Sequence, residues 1–297
     1  SMSAILFYIA YGFLWLLTLL PMPVLYLKSD FLHFIIFHII GYRKKVVYRN
    51  LQNAFPDKDK DEIDKIARKF YKHFCDVIFE TLKELHMSEA EMMKRVRYIN
   101  SELINKYFSQ KRSIIAVVAH YCNWEWLTGF SLQTPYHGAS LFKPLNNRQF
   151  NKVFGNMRSK FGTEMIPMKQ ALRSLIKNKR ENRLTINCYI SDQSPVREEL
   201  DYFTRFLNQD TAVFMGIEKI AIKFNLPVVY FKMKKIKRGY YEVEIINIAE
   251  KPKETVPTEI TEKHVRLLEE TILEEPAFWL WSHRRWKFKP SDRIKSV

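Results

Sequence analysis

The sequence predicts an α/β fold in which a mixed sheet, flanked by helices, forms one domain behind an apolar N-terminal helix. Two observations carry this prediction. Short runs rich in β-branched and aromatic residues alternate with segments of helical spacing, as is typical of α/β sheets. Residues 4–27 contain no charge at all, and so long an uncharged apolar stretch is typical of a membrane anchor.

The anchor comes first along the chain. Residues 4–27 as one helix would span about 36 Å, enough for a hydrocarbon layer of about 30 Å. A second apolar stretch, 31–40, is too short to span, and basic residues follow it at 43, 44, 45 and 49. A signal peptide is disfavoured, because a basic n-region and a small-residue cleavage site are lacking. We therefore expect a membrane segment over 1–45, spanning or lying in the interface, and a globular domain over 46–297, which the positive-inside rule places in the cytoplasm.

The elements of the globular domain follow in order. Mixed-charge helical spacing extends over 58–87, ahead of the first strand. Strands are predicted at 113–119, 139–142, 184–190, 227–233 and 241–248. Helical patterns lie between most of them, at 151–161, 168–177 and 212–224. This alternation indicates one α/β sheet.

The charge balance points to an anionic partner. The chain has 297 residues, and 48 basic against 32 acidic residues give a net charge of +16. Such an excess favours nucleic acid, an anionic membrane surface or an acidic protein. Further basic clusters at 232–238 and 284–295, together with the uncharged N-terminal stretch, favour an anionic lipid headgroup or an acidic protein and argue against nucleic acid.

Several types of chemistry lack a motif here. The sequence has no phosphate-cradling loop, dinucleotide fingerprint, zinc-protease motif or serine-esterase elbow. The three cysteines, Cys75, Cys122 and Cys188, lie far apart, which indicates neither a disulfide framework nor a metal site and fits a reducing compartment. We therefore expect no cofactor and no metal. Cys122 is disfavoured as a nucleophile, because no basic neighbour would lower the pKa of its thiol.

The most informative spacing is that of His120 and Glu125. An apolar, β-branched run ends at His120, and Glu125 follows five residues later, where a helix can begin. This places the imidazole at the carboxyl end of a strand, where α/β proteins build their sites. A neutral imidazole takes a proton from an alcohol, and a carboxylate beside it fixes its tautomer and stabilises its charged form. The pair predicts a base that makes a hydroxyl nucleophilic, although an ordinary hydrogen-bonded pair has the same spacing.

Several blocks over nearly the whole chain resemble one family, the bacterial lipid A biosynthesis (late, lauroyl/myristoyl) acyltransferases of the lysophospholipid acyltransferase superfamily. The similar blocks, in chain order, are 49–56 (RNLQNAFP), 120–125 (HYCNWE, an H-x4-[DE] motif), 142–145 (FKPL) with Arg158 and 161–162, 191–193 (SDQ), 203–216, and 279–287 (WLWSHRRWK). The last block, in this order and at this length, is the most specific. Two positions depart from the family: Cys122 stands where it usually has Gly, and Lys143 where it usually has Arg.

The resemblance implies a role for each site residue. His120 would be the general base and Glu125 the carboxylate that orients it. The oxyanion and substrate would be bound by Arg158, Lys143, Asn123, Asp192 and Gln193, with Asp192 holding either Arg158 or a substrate group. A lipid phosphate would be bound by His283, Arg284 and Arg285. The acyl pocket would be lined by Trp124 and Trp126.

The resemblance also implies the partners and the location. The donor would be an acyl-acyl carrier protein, the acceptor a hydroxyl of a lipid A precursor, and the location the bacterial inner membrane, with the acyltransferase domain on its cytoplasmic side. Two alternatives stay open: the same chemistry on a glycolipid, an aminolipid or a lysophospholipid, and a membrane-anchored protein that binds without catalysis.

Overall fold

The computed structural model describes residues 2–293 and has the predicted mixed α/β architecture. Its α-helices are α1 (Met2–Leu17), α2 (Met22–Phe34), α3 (Lys44–Ala54), α4 (Lys60–Lys83), α5 (Glu89–Arg95), α6 (Ser101–Ser109), α7 (Arg148–Ser159), α8 (Ala171–Arg180), α9 (Gly216–Phe224) and α10 (Glu259–Glu274). Its strands are β1 (Val96–Ile99), β2 (Ile114–Val118), β3 (His137–Phe142), β4 (Glu164–Pro167), β5 (Thr185–Ile190), β6 (Tyr202–Phe206), β7 (Gln209–Val213), β8 (Val228–Lys237) and β9 (Tyr240–Ala249).

Seven strands form the central sheet, in the order β1-β9-β8-β2-β5-β3-β4. Neighbouring strands are parallel except for the β8–β9 hairpin, so the sheet is mixed, as predicted. β6 and β7 form a separate antiparallel hairpin. The innermost strand, β2, is buried along its whole length, which explains its run of apolar residues, since a strand covered on both faces does not alternate with polar positions.

The register of β2 and β5 positions the site. These two strands are parallel neighbours, and Val118 pairs with Ile190 at their carboxyl ends. The residues two positions beyond this pair, His120 and Asp192, therefore leave the same edge of the sheet side by side. Parallel strands in register bring their carboxyl ends together, and ligand sites of open α/β sheets lie at this edge.

Most of the predicted elements are present, and two groups differ. The five predicted strands correspond to β2, β3, β5, β8 and β9. Four other strands were not predicted: β1 and β4 have four residues each, and β6 and β7 form a hairpin whose second strand takes part of the predicted helix 212–224. Short strands carry too few residues for a period of two to stand out.

The N-terminal apolar segment is not one 24-residue helix. α1 ends at Leu17, and Pro21 is extended (φ −66°, ψ 153°) before α2 begins. Proline favours the first positions of a new helix because its fixed φ suits them and its missing N–H is not needed there. A six-residue π-helix, Ile35–Ile40, then continues α2. Together they form a helix of 19 residues, Met22–Ile40, that is long and apolar enough to cross a membrane by length and composition, although a buried helix or a signal sequence meets the same criterion.

Candidate active site

His120 and Asp192 form a closely bonded pair at the carboxyl edge of the sheet. The imidazole Nδ1 lies 2.7 Å from Asp192 Oδ1, and the backbone N–H of His120 donates to Asp192 Oδ2 at 2.9 Å. An ionised carboxylate only accepts hydrogen bonds, so the ring carries a proton on Nδ1 and leaves Nε2 as an acceptor. The His120 side chain is 18% exposed and that of Asp192 only 2%. The imidazole can therefore take a proton at Nε2 from a molecule in solvent.

Asp192 remains ionised although it is buried. Burial raises the pKa of its carboxyl, but the charge of His120 and hydrogen bonds from His120 and Trp279 outweigh burial and hold this pKa below its usual value. The indole Nε1 of Trp279 donates to Asp192 Oδ2 at 2.8 Å. The carboxylate therefore accepts three hydrogen bonds, which fix its position and that of the imidazole.

The C-terminal signature, residues 279–287, contacts the His120–Asp192 pair because the chain at 278–280 hydrogen-bonds to the chain at 120–122. The Leu280 N–H donates to the His120 carbonyl at 3.1 Å, and the Cys122 N–H donates to the Phe278 carbonyl at 2.9 Å. Trp279, between these two bonded residues, is thereby brought to Asp192. Sequence reasoning missed its contact with the site, since only the tertiary fold brings residue 279 next to residue 192.

Glu125 is bonded to Arg158, whereas we expected it to contact and orient His120. It accepts two hydrogen bonds from Arg158, from Nε to Oε2 at 2.8 Å and from Nη2 to Oε1 at 2.6 Å. Asp192 likewise contacts His120 rather than Arg158. Each carboxylate thus has the partner that we expected for the other. The register of β2 and β5 brings Asp192 to the imidazole, and the two parallel N–H groups of Arg158 match both oxygens of Glu125.

Arg158 is a charged donor held in one orientation. Burial lowers the pKa of its guanidinium, but the hydrogen bonds and the charge of Glu125 outweigh burial and raise it. The side chains of Arg158 and Glu125 are 22% and 12% exposed. Nε and Nη2 point at Glu125, so the N–H groups of Nη1 remain for another acceptor.

The turn after His120 places Cys122 in an uncommon backbone conformation. Cys122 has φ +52°, in the left-handed region that glycine adopts without strain. Its thiol is fully buried, and burial raises its pKa, which agrees with the expectation that Cys122 is not a nucleophile. His73 supports the turn from α4: its Nε2 donates to the Cys122 carbonyl at 3.1 Å, and its Nδ1 accepts from Lys235.

The other predicted substrate-binding residues lie in different surroundings. Asn123 is fully buried, where its Oδ1 accepts from the Trp126 N–H and its Nδ2 donates to Glu80. These bonds hold the Asn123 side chain within the core. Gln193 is exposed, and its amide nitrogen lies 3.5 Å from His120 Nε2, on the open side of the imidazole. Lys143 is exposed in the loop after β3.

The predicted phosphate-binding residues separate into buried and exposed groups. Arg285 is 4% exposed, and its Nη2 donates to the Ala212 carbonyl, so it does not present its charge at the surface. His283 accepts a hydrogen bond from the Ser194 N–H at 3.2 Å, and burial together with the charge of Arg285 lowers its pKa to about 4. Arg284 alone of the three is exposed, because the backbone turns through 283–285 and directs neighbouring side chains apart.

The predicted acyl pocket divides in a similar way. Trp126 is fully buried, and its indole donates to the Glu80 carbonyl, so it belongs to the core. Trp124 is partly exposed and lies edge-on to His120, with 5.3 Å between ring centroids. A narrow apolar cleft of about 60 Å³ lies farther along α7. Its lining comes from α1, α4, the turn after α4, and α7: Phe7, Ala10, Tyr11, Leu14, Leu82, Leu85, Phe150, Val153, Phe154 and Met157.

Comparison with known proteins identifies the family. The profile described as bacterial lipid A biosynthesis acyltransferase matches residues 2–288. The chain is 24% identical over 284 residues to the lipid A biosynthesis lauroyltransferase of Escherichia coli (strain K12), covering 94% of this chain and 90% of that protein. It is 23% identical over 282 residues to the lipid A biosynthesis acyltransferase of Haemophilus influenzae (strain ATCC 51907 / DSM 11121 / KW20 / Rd), covering 94% and 89%. The chain is thus an acyltransferase and belongs to the bacterial lipid A biosynthesis acyltransferase family.

Proposed function

We propose that this protein transfers a fatty acyl chain from the thioester of an acyl-acyl carrier protein to a hydroxyl of a lipid A precursor, at the cytoplasmic face of the bacterial inner membrane. The observation that carries the proposal is the bonding of His120, whose Nδ1 is held by a buried carboxylate while Nε2 faces the open side of the site. This is the arrangement that a general base for an alcohol requires.

In the proposed reaction the acceptor hydroxyl attacks the thioester carbonyl carbon directly. His120 Nε2 takes the hydroxyl proton, and Asp192 stabilises the resulting imidazolium. The tetrahedral intermediate then expels the carrier's thiolate, which takes the proton from His120. The products are an ester and a free carrier thiol, and no acyl-enzyme forms.

Arg158 is proposed to stabilise the oxyanion of the intermediate. Its Nε and Nη2 are held by Glu125, which fixes the plane of the guanidinium and leaves Nη1 as a positioned cationic donor. Donors fixed in advance stabilise developing charge without reorganisation during the reaction. Glu125 thus positions Arg158, in place of the direct contact with His120 that the sequence suggested. Gln193, beside His120 Nε2, is proposed to contact the acceptor hydroxyl.

Two further surfaces support the choice of substrates. Trp124 is proposed to contact the acyl chain, and the apolar cleft between α1 and α7 to receive part of it, since the cleft lining is almost wholly apolar. Arg284 lines a basic recess of about 710 Å³ that suits a phosphate of the acceptor. The cations that share this recess are Arg49, Arg205, Lys287 and Lys289. The net charge of +16 suits an acidic carrier protein.

Acyl transfer measured by mass spectrometry tests the proposal. Lauroyl-, myristoyl- and palmitoyl-carrier protein are each offered with a purified tetra-acyl lipid A precursor, alongside the matching coenzyme A thioesters. We expect a mass gain of one acyl chain with a carrier-protein donor, and a loss of about 10³-fold or more in His120→Ala. No gain with the precursor, but gain in a total membrane lipid extract, would overturn the acceptor. A preference for coenzyme A would overturn the donor, and full activity of His120→Ala would overturn the base.

A further inference from the structure

The N-terminal helices present a broad apolar surface to the outside of the molecule. We infer that α1, α2 and the π-helix Ile35–Ile40 lie within the cytoplasmic leaflet of an anionic bilayer and that neither helix crosses it. This goes beyond the proposed reaction and does not depend on the identity of donor or acceptor. It is carried by the length of α1, by the polar contacts of α2, and by the distribution of exposed side chains.

α1 is too short to span and ends on the catalytic domain. Its 16 residues extend about 24 Å, against a hydrocarbon thickness of about 30 Å. Beyond its last turn, the ammonium group of Lys83 on α4 donates to the carbonyls of Thr18 at 3.0 Å and Leu20 at 2.9 Å. These bonds tie the end of α1 to the globular domain, and nearer its start the ring of Phe7 packs on that of Phe150 in α7, with 4.9 Å between centroids. The Phe7 contact would be lost if α1 crossed to the opposite leaflet.

α2 and the π-helix are long enough to span, but one face of α2 is bonded to the globular domain. The Tyr26 hydroxyl donates to Glu80 at 2.7 Å, the Ser29 hydroxyl donates to Asp76 at 2.7 Å, and Asp30 accepts from Arg238 at 2.7 Å. Residues 26, 29 and 30 share this face with the buried residues 22 and 25, at helical spacing.

α2 cannot keep these contacts with the globular domain and also cross the membrane. A spanning α2 would leave the surface of α4 and the β8–β9 hairpin and carry Asp30 into the hydrocarbon without its cation. Intramembrane charges are costly unless they are paired or face water. Asp76 and Arg238 would also lose partners, since Asp76 is 3% exposed at its side chain and bonds both Ser29 and Arg238.

The opposite faces of the two helices are apolar and exposed. Leu27, Phe31 and Phe34 lie on one stripe of α2 and are 53–70% exposed, and Ile39 and Ile40 continue it. The large exposed apolar side chains of α1 and the turn after it are Ile5, Leu6, Tyr8, Ile9, Phe13, Trp15, Leu16 and Leu19. Exposed apolar side chains in this number on neighbouring segments of the chain mark an interaction site rather than scattered exposure.

A basic rim identifies the occupant as a lipid leaflet. Gly41, with φ +65°, turns the chain directly after Ile40, and four basic residues follow within eight positions: Arg43, Lys44, Lys45 and Arg49. An apolar face with cations at its border complements acyl chains beneath anionic headgroups. Since α1 also lines the cleft that we assign to the acyl chain, immersion of α1 would place that cleft at the leaflet that holds the acceptor.

Cysteine accessibility in spheroplasts tests this inference. The three native cysteines are at most 5% exposed and so give little background. Ser3→Cys reports on the start of α1, and Leu19→Cys on the α1–α2 connection. Residue 3 would be accessible from outside if only α1 crossed, residue 19 if both helices crossed, and both residues if only α2 crossed. We expect neither variant to react with a membrane-impermeant maleimide added outside, and both to react after the membrane is dissolved in detergent.

Two controls make each outcome decisive. Lys253→Cys, at an exposed position of the globular domain, should react only after lysis, and a periplasmic thiol protein in the same cells should react at once. Labelling of Ser3→Cys or Leu19→Cys from outside would overturn the inference. Release of the protein by alkaline carbonate without detergent would also overturn it, in favour of a protein partner on the apolar face. Acyl transfer is assayed on the same membranes, so failure of the proposed reaction is recorded separately from failure of the topology.

Discussion

Two acid–base pairs lie at the same edge of the sheet, and they differ in what each leaves free. In the His120–Asp192 pair the carboxylate is saturated with donors while the imidazole keeps Nε2 open. In the Glu125–Arg158 pair both carboxylate oxygens are occupied by one guanidinium. The first pair suits proton transfer, and the second suits fixed positive charge. Nearness in sequence therefore does not determine the partners, since His120 bonds Asp192, 72 residues away, and not Glu125, five residues away.

Breaking the first pair should have the largest effect. Asp192→Asn keeps the shape but removes the charge that stabilises the imidazolium, so we expect kcat to fall by about 10²–10³-fold, within the range of general-base catalysis. Steady-state kinetics with a carrier-protein donor measure this. Asp201→Asn, which breaks a surface ion pair with Lys219, is the matched control and should be unchanged. Full activity of Asp192→Asn would show that His120 does not depend on this carboxylate.

Breaking the second pair should have an intermediate effect and offers a close control. Glu125→Gln releases the fork of Arg158, and we expect kcat to fall by about 10–100-fold, less than loss of an oxyanion donor itself. In Glu84, burial and the charge of Glu125 raise the pKa of the carboxyl well above its usual value. Because Glu84 accepts from Thr128 while the fork of Arg158 is held by Glu125, Glu84→Gln leaves that fork in place and should change kcat by less than about twofold. Equal losses in both variants would contradict the assignment of Glu125.

A smaller effect is expected where the C-terminal signature meets the first pair. Trp279→Phe keeps an aromatic ring against Trp281 and Trp286 but removes the donor to Asp192. The loss of one hydrogen bond is worth about 1 kcal/mol, so we expect kcat to fall about fivefold with KM little changed. Thermal unfolding of the same variant separates a structural defect from a catalytic one. A change confined to KM would indicate that Trp279 acts on the substrate rather than on Asp192.

Buried histidines outside both pairs should make the protein acid-sensitive. Burial lowers the pKa of His264 to about 4, against an ordinary value of 6.5. The folded state then binds fewer protons than the unfolded state, so the free energy of unfolding falls as the pH is lowered from about 6.5 towards 4. Each such group contributes up to about 3 kcal/mol over this window. His73, with a pKa of about 3, and His283, with a pKa of about 4, act in the same direction.

Denaturant unfolding at pH 7 and pH 5 measures this dependence. His264→Gln should reduce the loss of stability between the two pH values, while catalysis at pH 7 stays unchanged. Equal losses in the variant and the parent would contradict a neutral, buried His264. The measurement also sharpens the comparison of the two pairs, because it separates protonation of His120 from acid unfolding in any pH–rate profile.

The sequence was sufficient for the fold class and for part of the site. Hydrophobic runs located five of the seven strands of the central sheet, most clearly β2, since burial on both faces leaves a continuous apolar segment. His120 was found because it ends such a run, and Asp192 because it stands in a recognisable block after another. What the sequence did not give was the neighbour order, and without it the carboxylate five residues away was the natural partner for His120.

The C-terminal block shows the same limit. Its specificity identified the family, but it did not separate the buried Arg285 from the exposed Arg284, or show that Trp279 bonds Asp192. Adjacent residues in an irregular segment have no periodicity from which burial can be inferred. The polar face of α2 was likewise not recognised, because Tyr26 belongs to the uncharged stretch while Ser29 and Asp30 fall between the two apolar segments.

By itself, the sequence determined an α/β fold, a histidine at a strand end and an apolar N-terminal segment, because residue type and period are local properties, and the resemblance of its blocks to one family indicated an acyltransferase. Only the tertiary structure decided which carboxylate holds His120, which cations face solvent and where the apolar segment breaks into two helices bonded to α4. These depend on strand register and on contacts between residues far apart in the chain, and the free energy of such contacts is not encoded in any short window.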